Sequence, residues 1–413
     1  MRPSFHFSAR AGWINDPHGI TFRDGEYHVF FQYVPDSTVW APNCHWGHAK
    51  GPDLFTLEEL SVAIAPGEGD EGIWTGSLVT DDTGSTRVFY TSTSQPDIGI
   101  GRVRIANPDD DDWSAWTKGS FVADAPRELD IVAYRDPFLL RETAGWRMFL
   151  GAGLADGTAT ALSYRSENLE SWTYEGIALQ RSTHETEPVW MGALWECPQI
   201  IQVDGRHVMI SSVWDDDVLH YAGYAVGDYA DGRFDATSWG RLTHGPSYYA
   251  PSFFRDAEGR ACLMFWMRGI ADFDQGWASV LSVPHVLTLE GDTLVATPHP
   301  DLERYREPES AEGVLPSLAG DVVWKPAAND ELRVTDGQKE VLRLVVANGE
   351  LSAHRDGESS SVPVGESVRV ILDANAVEVS STQGILALAI APAGRRYDVR
   401  AACGQISIWP LSR

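Results

Sequence analysis

The chain is poor in cysteine and in positive charge. Its four cysteines stand far apart among 413 residues and form no CxxC pair, so a zinc site is not expected. Lys and Arg number 32 against 59 Asp and Glu, which gives a formal net charge of −27. A field of that sign argues against nucleic acid and anionic membranes as partners. It argues more weakly against a phosphorylated substrate, because a local basic pocket could override it.

Long apolar runs are also missing. The chain has no stretch of 18 apolar residues and no apolar signal core, so the sequence predicts a cytoplasmic protein with reduced thiols. No segment shows a long apolar period of 3.6 residues. Short aromatic and β-branched runs follow turns that contain Gly or Asp, as at residues 27–33. These runs predict an all-β fold with about four strands in every ~60 residues.

An acid next to a proline recurs along the first 300 residues. Asp16 and Asp136 each precede a proline directly, and Glu196 stands two residues before one. Residues 74–77 and 249–251 fill the two remaining steps of a period of about 60 residues. Proline fixes its own φ and restrains the residue before it, so each acid should sit on a stiff backbone. For one copy alone, a loop with an Asx-type turn is an equally good interpretation.

The repeat predicts a five-bladed β-propeller over residues 1–298, whose acids would converge on the central axis. Composition shifts to Pro, Glu and Arg over residues 299–313, which we interpret as a linker with one helical turn. Residues 314–413 show short, regularly spaced strands and predict a small β-sandwich. This second domain has no acid–proline device, and we expect it to be structural or an accessory sugar-binding surface.

Three carboxyl groups in one funnel suit either a metal ion or acid–base work on an uncharged substrate. Metal sites usually add further acids or histidines at short spacing. The only near candidates are His45 and His48, which more often pack between blades. We therefore predict no metal and no cofactor.

Glycoside hydrolysis needs two carboxyl groups across the scissile bond. Asp16, with Asn15 and turn amides beside it, fits the ionised nucleophile or base. Glu196 has apolar sequence neighbours, which would raise its pKa and suit a general acid. Asp136, next to Arg135, should stay ionised, clamp sugar hydroxyls and stabilise positive charge at the ring. The predicted partner is accordingly a small-molecule carbohydrate.

These motifs together resemble glycoside hydrolase family 32, which includes invertases, fructanases and β-fructofuranosidases. The resemblance runs through residues 13–19, 31–35, 46–54, 74–77, 135–137, 196–198, 227–229, 249–251 and 276–284, and reaches residues 373–379 of the second domain. It implies that Asp16 is the nucleophile of a covalent fructosyl-enzyme, and that Glu196 protonates the leaving group and then activates water. Asp136 would bind fructose hydroxyls and stabilise the transition state, with Arg135 orienting the carboxylates.

The resemblance also implies a retaining mechanism without a metal, and a fructose subsite. The residues that would line this subsite are Asn15, Gln32, Trp40, Trp74 and Thr75, with Trp266 as a wall further out.

The chain departs from the family pattern at several positions. His18 stands where Asn is usual, Trp74-Thr75 where Phe-Ser is common, and Gln199 where Asp follows the proline. Ser247 and His285 replace a usual Asp and a common Arg. None of these changes removes one of the three acids, so we expect activity to survive while the choice of fructoside stays open.

The favoured hypothesis is a β-fructofuranosidase acting on sucrose, fructo-oligosaccharides or fructans. Transfer of the fructosyl group to a sugar acceptor is a close variant. An alternative enzyme is an inverting propeller glycosidase acting on arabinan or xylan, whose two carboxyl groups would lie ~6.5–9.5 Å apart rather than ~5–5.5 Å. The non-enzymatic alternative is a sugar-binding propeller, which should have lost at least one of the three acids.

Overall fold

A computed structural model describes all residues, 1–413, and the chain folds almost entirely into β-strands. The predicted all-β class is confirmed. The only helices are two short 3-10 segments, Phe273–Gln275 (η1) and Pro300–Tyr305 (η2). Neither has the length or the apolar run that crossing a membrane as a helix requires.

The strands between residues 12 and 298 form four sheets, apart from one two-residue strand, β17 (Thr243–His244). Three of these sheets are antiparallel meanders of four strands, in which each strand pairs with the next along the chain. Their strands are β5 (Gly72–Thr80), β6 (Thr86–Thr93), β7 (Arg102–Pro108) and β8 (Trp116–Ala123); β9 (Ile131–Glu142), β10 (Gly145–Leu154), β11 (Thr158–Ser166) and β12 (Thr173–Ser182); and β13 (Leu194–Val203), β14 (Arg206–Asp215), β15 (Val218–Ala230) and β16 (Arg233–Arg241).

The fourth sheet has nine strands and joins the two ends of this region. Its strands are β1 (Gly12–Arg23), β2 (Glu26–Val34), β3 (His45–Gly51) and β4 (Glu58–Glu59), then β18 (Tyr248–Arg255), β19 (Ala261–Asp272), β20 (Trp277–Leu281), β21 (His285–Glu290) and β22 (Thr293–Pro298). The two groups meet where β1 and β20 pair in parallel, at Gly12–Trp13 and Trp277–Ala278.

Five strands that lead their groups lie next to one another in a ring. Strand β1 contacts β5, β5 contacts β9, β9 contacts β13, β13 contacts β18, and β18 contacts β1. We call these five the inner strands. None of the sheets closes on itself, and the hydrogen bonds of β20 merge the first and last groups into one sheet. The predicted number of five blades therefore stays a prediction.

Residues 314–410 supply eleven strands of two six-stranded sheets that enclose one apolar core, and β17 is the twelfth. Their strands are β23 (Val314–Leu315), β24 (Ala319–Lys325), β25 (Glu331–Thr335), β26 (Glu340–Ala347), β27 (Glu350–Arg355), β28 (Glu358–Pro363), β29 (Val368–Asp373), β30 (Ala376–Ser381), β31 (Gly384–Ala389), β32 (Tyr397–Ala401) and β33 (Gln405–Pro410). The core draws alternate side chains from both sheets, as a sandwich requires. Strand β17 pairs in parallel with β31, so the first region contributes a strand to the second.

A buried charge network fixes the amino terminus to this sandwich. The carboxylate of Asp373 accepts hydrogen bonds from three successive backbone amides, at residues 4–6, and from Nδ1 of His6. Nε2 of His6 lies 2.9 Å from Glu378, whose other oxygen lies 3.2 Å from His285. Burial favours the neutral ring, but the hydrogen bonds to both acids outweigh it and raise the pKa of His6 to about 9. The imidazolium thus holds the segment that leads into β1.

Candidate active site

Each inner strand carries a β-bulge at the position that the sequence repeat singled out. The register against the neighbouring strand shifts between Ile14 and Pro17 and between Glu196 and Gln199, and it shifts likewise at residues 74–76, 135–138 and 249–252. A bulge places one extra residue in a strand and re-aims its side chains. Proline is tolerated there because the ladder hydrogen bond is already lost. The acid–proline device of the sequence thus coincides with the bulges of β1, β9 and β13, whereas the bulges of β5 and β18 form without it.

Asp16 is held by three side-chain donors. Its Oδ2 accepts hydrogen bonds from the Thr75 hydroxyl at 2.7 Å and from Nε2 of Gln32 at 3.1 Å. Its Oδ1 accepts from Nδ2 of Asn15 at 3.0 Å, and Asn15 in turn accepts from the Trp13 indole. These contacts fix the carboxyl orientation, which a nucleophile that must approach one carbon requires.

Asp136 is buried on a strained backbone. Its φ is 64°, in the left-handed region that a residue with a Cβ seldom adopts. Its backbone N–H donates to the Thr91 hydroxyl at 2.8 Å, and its Oδ2 accepts from the backbone N–H of Cys197 at 3.0 Å. The Cys197 sulfur lies 3.7 Å from that oxygen and 4.0 Å from Asp16, so one thiol separates the two carboxyl groups. Burial and the nearby acids raise the pKa of this thiol, which keeps it neutral.

Glu196 is held from two sides by residues of neighbouring inner strands. The Arg135 guanidinium places Nε and a terminal nitrogen 2.9 Å from its Oε1. The Tyr249 hydroxyl donates to its Oε2 at 2.6 Å. The Arg268 guanidinium lies 4.9 Å from the centre of the Tyr249 ring, where a cation is attracted to the ring face. The side chain of Glu196 keeps 17% exposure, enough to meet a ligand.

These surroundings differ from the sequence prediction in two respects. Glu196 was expected to lie among apolar neighbours, but its carboxyl group contacts a cation and a phenol. Arg135 was expected to keep Asp136 ionised, but its short contacts go to Glu196. The reason is the alternation of side chains along a strand, which turns Trp195, the residue directly before Glu196, to the opposite face of the sheet.

One buried carboxyl group, Asp136, and two partly buried ones, Asp16 and Glu196, lie around the single buried guanidinium of Arg135. Burial, and then the charge of Glu196, raise the pKa of Asp136 above its usual value, although Arg135 opposes the rise. The same two causes raise the pKa of Asp16, against hydrogen bonds from Thr75 and Asn15. Like charges that share a low-dielectric site cannot all ionise at once. Asp16 and Asp136 therefore hold a proton more tightly than isolated aspartates do.

Aromatic side chains flank the acids. Trp74 is almost buried and donates its indole N–H to the Pro42 carbonyl at 2.9 Å. Trp40 lies edge-on to Trp74, with ring centres 5.7 Å apart, and is 41% exposed. Trp266 is buried and packs between Trp13 and Tyr249, so it supports the site from behind.

All ten site residues predicted from the sequence thus lie in or beside one cluster. Seven of them, the three acids with Asn15, Gln32, Thr75 and Arg135, are linked by the polar contacts described above, directly or through Cys197, and Trp74 lies beside them with its ring centre 6.0 Å from the Arg135 guanidinium. Trp266 contacts the cluster only through apolar packing. The sequence analysis did not assign Tyr249, Cys197, Thr91 or Arg268 to the site. Tyr249 could have been found, because it stands two residues before a proline in the fifth repeat, as Glu196 does in the fourth.

Two of the residues that depart from the family pattern, His18 and Gln199, have contacts that can be described. His18 packs against Trp46 with the rings tilted and their centres 4.0 Å apart, and burial lowers its pKa to about 3, so it is neutral. Nε2 of Gln199 donates to the Pro251 carbonyl, and its Oε1 accepts from the backbone of Phe253. Gln199 thereby joins β13 to β18, and neither side chain hydrogen-bonds to a carboxyl group of the site.

One buried group elsewhere has metal-ligand residue types, namely Asp256, Cys262 and His299. The donors are already in use: Nε2 of His299 lies 3.0 Å from Asp256, and its Nδ1 accepts from the backbone of Asp301. Arg260 also pairs with Asp256. A cation there would displace a guanidinium, so the group serves instead to fix η2 against the first region.

Comparison with known proteins places these features in a family. The profile of the N-terminal domain of glycosyl hydrolases family 32 matches residues 6–298. A sucrose-6-phosphate hydrolase of Zymomonas mobilis is 32% identical over 343 residues, which are 76% of this chain and 65% of that protein. A levanase of Bacillus subtilis is 30% identical over 397 residues, or 84% of this chain and 55% of that one. The chain thus spans less than two thirds of the length of these relatives.

Solved structures share the whole fold. A family 32 β-fructofuranosidase of Bombyx mori superposes with a TM-score of 0.86 at 22% identity, over 100% of this chain and 94% of the other. Fructan 1-exohydrolase IIa of Cichorium intybus gives a TM-score of 0.82 at 19% identity, over 100% and 97%. At these identities the likeness establishes the fold.

Proposed function

Because the chain belongs to glycosyl hydrolases family 32, we propose that it hydrolyses terminal β-D-fructofuranosyl residues of sucrose, fructo-oligosaccharides or fructans. The observation that carries this proposal is the cluster of Asp16, Asp136 and Glu196 on the bulges of three inner strands. Each carboxyl group has a different set of partners, which suits three different roles.

The first step forms a fructosyl-enzyme. Asp16 attacks the anomeric carbon, and the bond to the leaving oxygen breaks as Glu196 delivers its proton to that oxygen. Arg135 and Tyr249 stabilise the carboxylate that Glu196 becomes, since both donate to it. In the second step Glu196 takes a proton from water, the water oxygen bonds to the anomeric carbon, and the Asp16 ester breaks. Two displacements at one carbon retain its configuration.

Asp136 is connected to Asp16 through the Cys197 thiol, which contacts both carboxyl groups. In this proposal it binds fructose hydroxyls and faces the positive charge that develops at the ring. Asn15, Gln32, Trp74 and Thr75 line the same fructosyl subsite, with Trp40 at its edge. Because a fructosyl-enzyme can be captured by sugar as well as by water, transfer is the expected side reaction.

The ring of inner strands supports a proposal for the domain organisation. We count the nine-stranded sheet as the first and fifth blades of a propeller over residues 1–298, joined by β20. Residues 299–313 then form the linker, and residues 314–413 the sandwich. The cytoplasmic location and the absence of nucleic-acid and membrane partners stay predictions of the sequence.

Product analysis tests the proposed activity. The wild-type protein and Asp16→Asn are incubated with sucrose, inulin, levan and an arabino-oligosaccharide, and the sugars are separated. Free fructose from at least one fructoside, absent with Asp16→Asn, is the expected result. Larger fructosides as the main product would indicate transfer, arabinose would indicate the inverting alternative, and no product from any sugar would indicate a binding protein.

A further inference from the structure

The acids stand at one end of the inner strands, and the loops at that end surround the access to them. Trp13 of β1 pairs with Val34 at the end of β2, and Leu194 of β13 pairs with Trp214 near the end of β14. The connections that follow these strand ends therefore lie on the same side as Asp16 and Glu196. We call them the mouth loops, and they are residues 35–44, 65–71, 94–101, 124–130, 155–157, 183–193, 216–217, 242–247 and 273–276.

The mouth loops are strongly acidic. Their acids without a salt bridge are Asp36, Glu68, Glu71, Asp97, Glu128, Asp130, Asp156, Glu187, Asp216, Asp217 and Asp274; three more, Asp70, Asp124 and Glu185, pair with Arg104, Arg102 and Arg181. Arg127 is the single Lys or Arg in the mouth loops, and it is followed directly by Glu128. A mouth lined by one sign of charge concentrates its field, so an anion meets repulsion on approach.

The cations closest to Asp16, Asp136 and Glu196 already form contacts with other groups of the protein. Arg135 binds Glu196. The Arg268 guanidinium donates to the carbonyl oxygens of Leu219 and His220, and its Nε is buried without a partner and cannot reach a solute. Of the cations that precede β1, Arg2 donates to the backbone of residues 9 and 10, and Arg10 pairs with Glu59. No α-helix N-terminus is available as a substitute anion site.

An acidic hairpin stands on the Glu196 side, where the leaving group must sit. Ser212 of β14 lies opposite Glu196, and Asp216 is four residues further along. At ~3.3 Å per residue, the turn Asp215–Asp217 lies roughly 13 Å from the proton donor. A phosphate ester carries about −1.5 to −2 charges at pH 7 and is normally bound by Arg or Lys forks.

The same face exposes apolar side chains that suit uncharged sugars. Five of the seven large hydrophobic residues that are exposed lie on or next to the mouth loops, namely Val39, Trp40, Val132, Val218 and Phe273. Apolar and aromatic surface next to a few polar groups is typical of sites for neutral ligands.

We infer that the leaving-group side of this site accepts an uncharged sugar and discriminates against a phosphorylated one. The inference rests on the proposed hydrolysis of fructosides and names the substrate class of that site. It separates this chain from its Zymomonas mobilis relative, whose name specifies a phosphorylated substrate.

The test compares kcat/KM for sucrose and sucrose 6-phosphate at two ionic strengths. The two negative charges of a phosphate bound near Glu196 would form six repulsive pairs with the three acids of the turn Asp215–Asp217. At roughly 13 Å this repulsion favours sucrose by about tenfold at ~0.01 M salt, and by only about twofold at ~0.15 M, where the Debye length is ~8 Å. A sucrose preference that grows as salt is removed is the expected result. A preference for the phosphate, or a preference for sucrose that shrinks as salt is removed, would overturn the inference but leave the proposed hydrolysis standing. Fructose from neither sugar nor from any fructan would overturn both.

A charge variant tests the source of the discrimination. Asp216 and Asp217 have φ values of 47° and 59°, which Asn tolerates, so Asp216→Asn/Asp217→Asn removes two charges and keeps the turn. The low-salt preference for sucrose should fall from about tenfold to about twofold. The matched control is Asp24→Asn/Asp231→Asn, at exposed turns of positive φ at the opposite strand ends. Equal effects of the two double variants would overturn the assignment to the mouth.

Discussion

The hydroxyl of Tyr249 offers a test of how the proposed general acid is held. It donates to Glu196 at 2.6 Å, from an adjacent inner strand, and its ring is nearly inaccessible. Tyr249→Phe removes this single donor and keeps the ring against Trp266. As Glu196 gives up its proton, the charge on its oxygens grows, so the bond is stronger in the transition state than before it. Interactions of that kind raise the rate of the chemical step.

The expected loss follows from the charge of the acceptor. A hydrogen bond to an ionised group is worth ~1.5–3 kcal/mol, and each ~1.4 kcal/mol is a factor of ten in rate. We therefore expect kcat/KM for sucrose to fall by roughly 10- to 150-fold. An activated fructoside, whose leaving group needs little protonation, should lose much less.

A double-mutant cycle with Glu196→Gln measures the interaction itself. If the hydroxyl acts through the carboxylate, Tyr249→Phe should cost little in the Glu196→Gln background, and the coupling should be ~1.5–3 kcal/mol. Tyr164→Phe is the control, because its buried hydroxyl donates to the Asp124 carbonyl at 3.0 Å, away from the acids. Additive losses in the cycle, or a loss from Tyr249→Phe no larger than that from Tyr164→Phe, would refute the reasoning.

The remaining predictions concern Glu196, Trp40 and His6. Glu196→Gln should slow sucrose hydrolysis far more than hydrolysis of an activated fructoside; equal losses in kcat would count against its role as proton donor. Trp40→Ala should raise KM about two- to tenfold with little change in kcat, because the exposed ring offers binding surface alone; a large loss of kcat would contradict this. His6 has a pKa raised from 6.5 to about 9, so its stabilisation is complete below pH 6.5 and is lost as pH rises through about 9. That loss amounts to about 3 kcal/mol, and His6→Gln should flatten the fall in Tm over this window; an unchanged Tm profile would argue against a charged ring.

The sequence predicted that the three acids cluster because the signal for each of them is local. Asp16 and Asp136 each precede a proline, and a proline inside a strand is compatible with a bulge but not with a regular central ladder. The position of the bulge, and with it the inward direction of the acid, follows from a few adjacent residues. The short, regularly spaced strands predicted for residues 314–413 also depend on local signals, and the structure shows eleven strands between residues 314 and 410.

Contacts between distant segments could not be predicted in this way. The pairing of Arg135 with Glu196 depends on which side chains of neighbouring strands face each other, and sequence adjacency wrongly favoured Asp136 as its partner. The division into four sheets depends on a parallel pairing between β1 and β20, separated by more than 260 residues. The contact of His6 with Glu378 likewise spans nearly the whole chain.

The central claim is that Asp16 forms a covalent bond with the fructosyl group. The most direct test uses Glu196→Gln with an activated fructoside, because the variant can form the intermediate but lacks the base that activates water. The protein is denatured during turnover and digested with a protease, and the masses of its peptides are measured by mass spectrometry. The account predicts one fructosyl group on the peptide that contains Asp16. A label on another residue, or no label together with an inverted anomeric product from the wild-type protein, would contradict it.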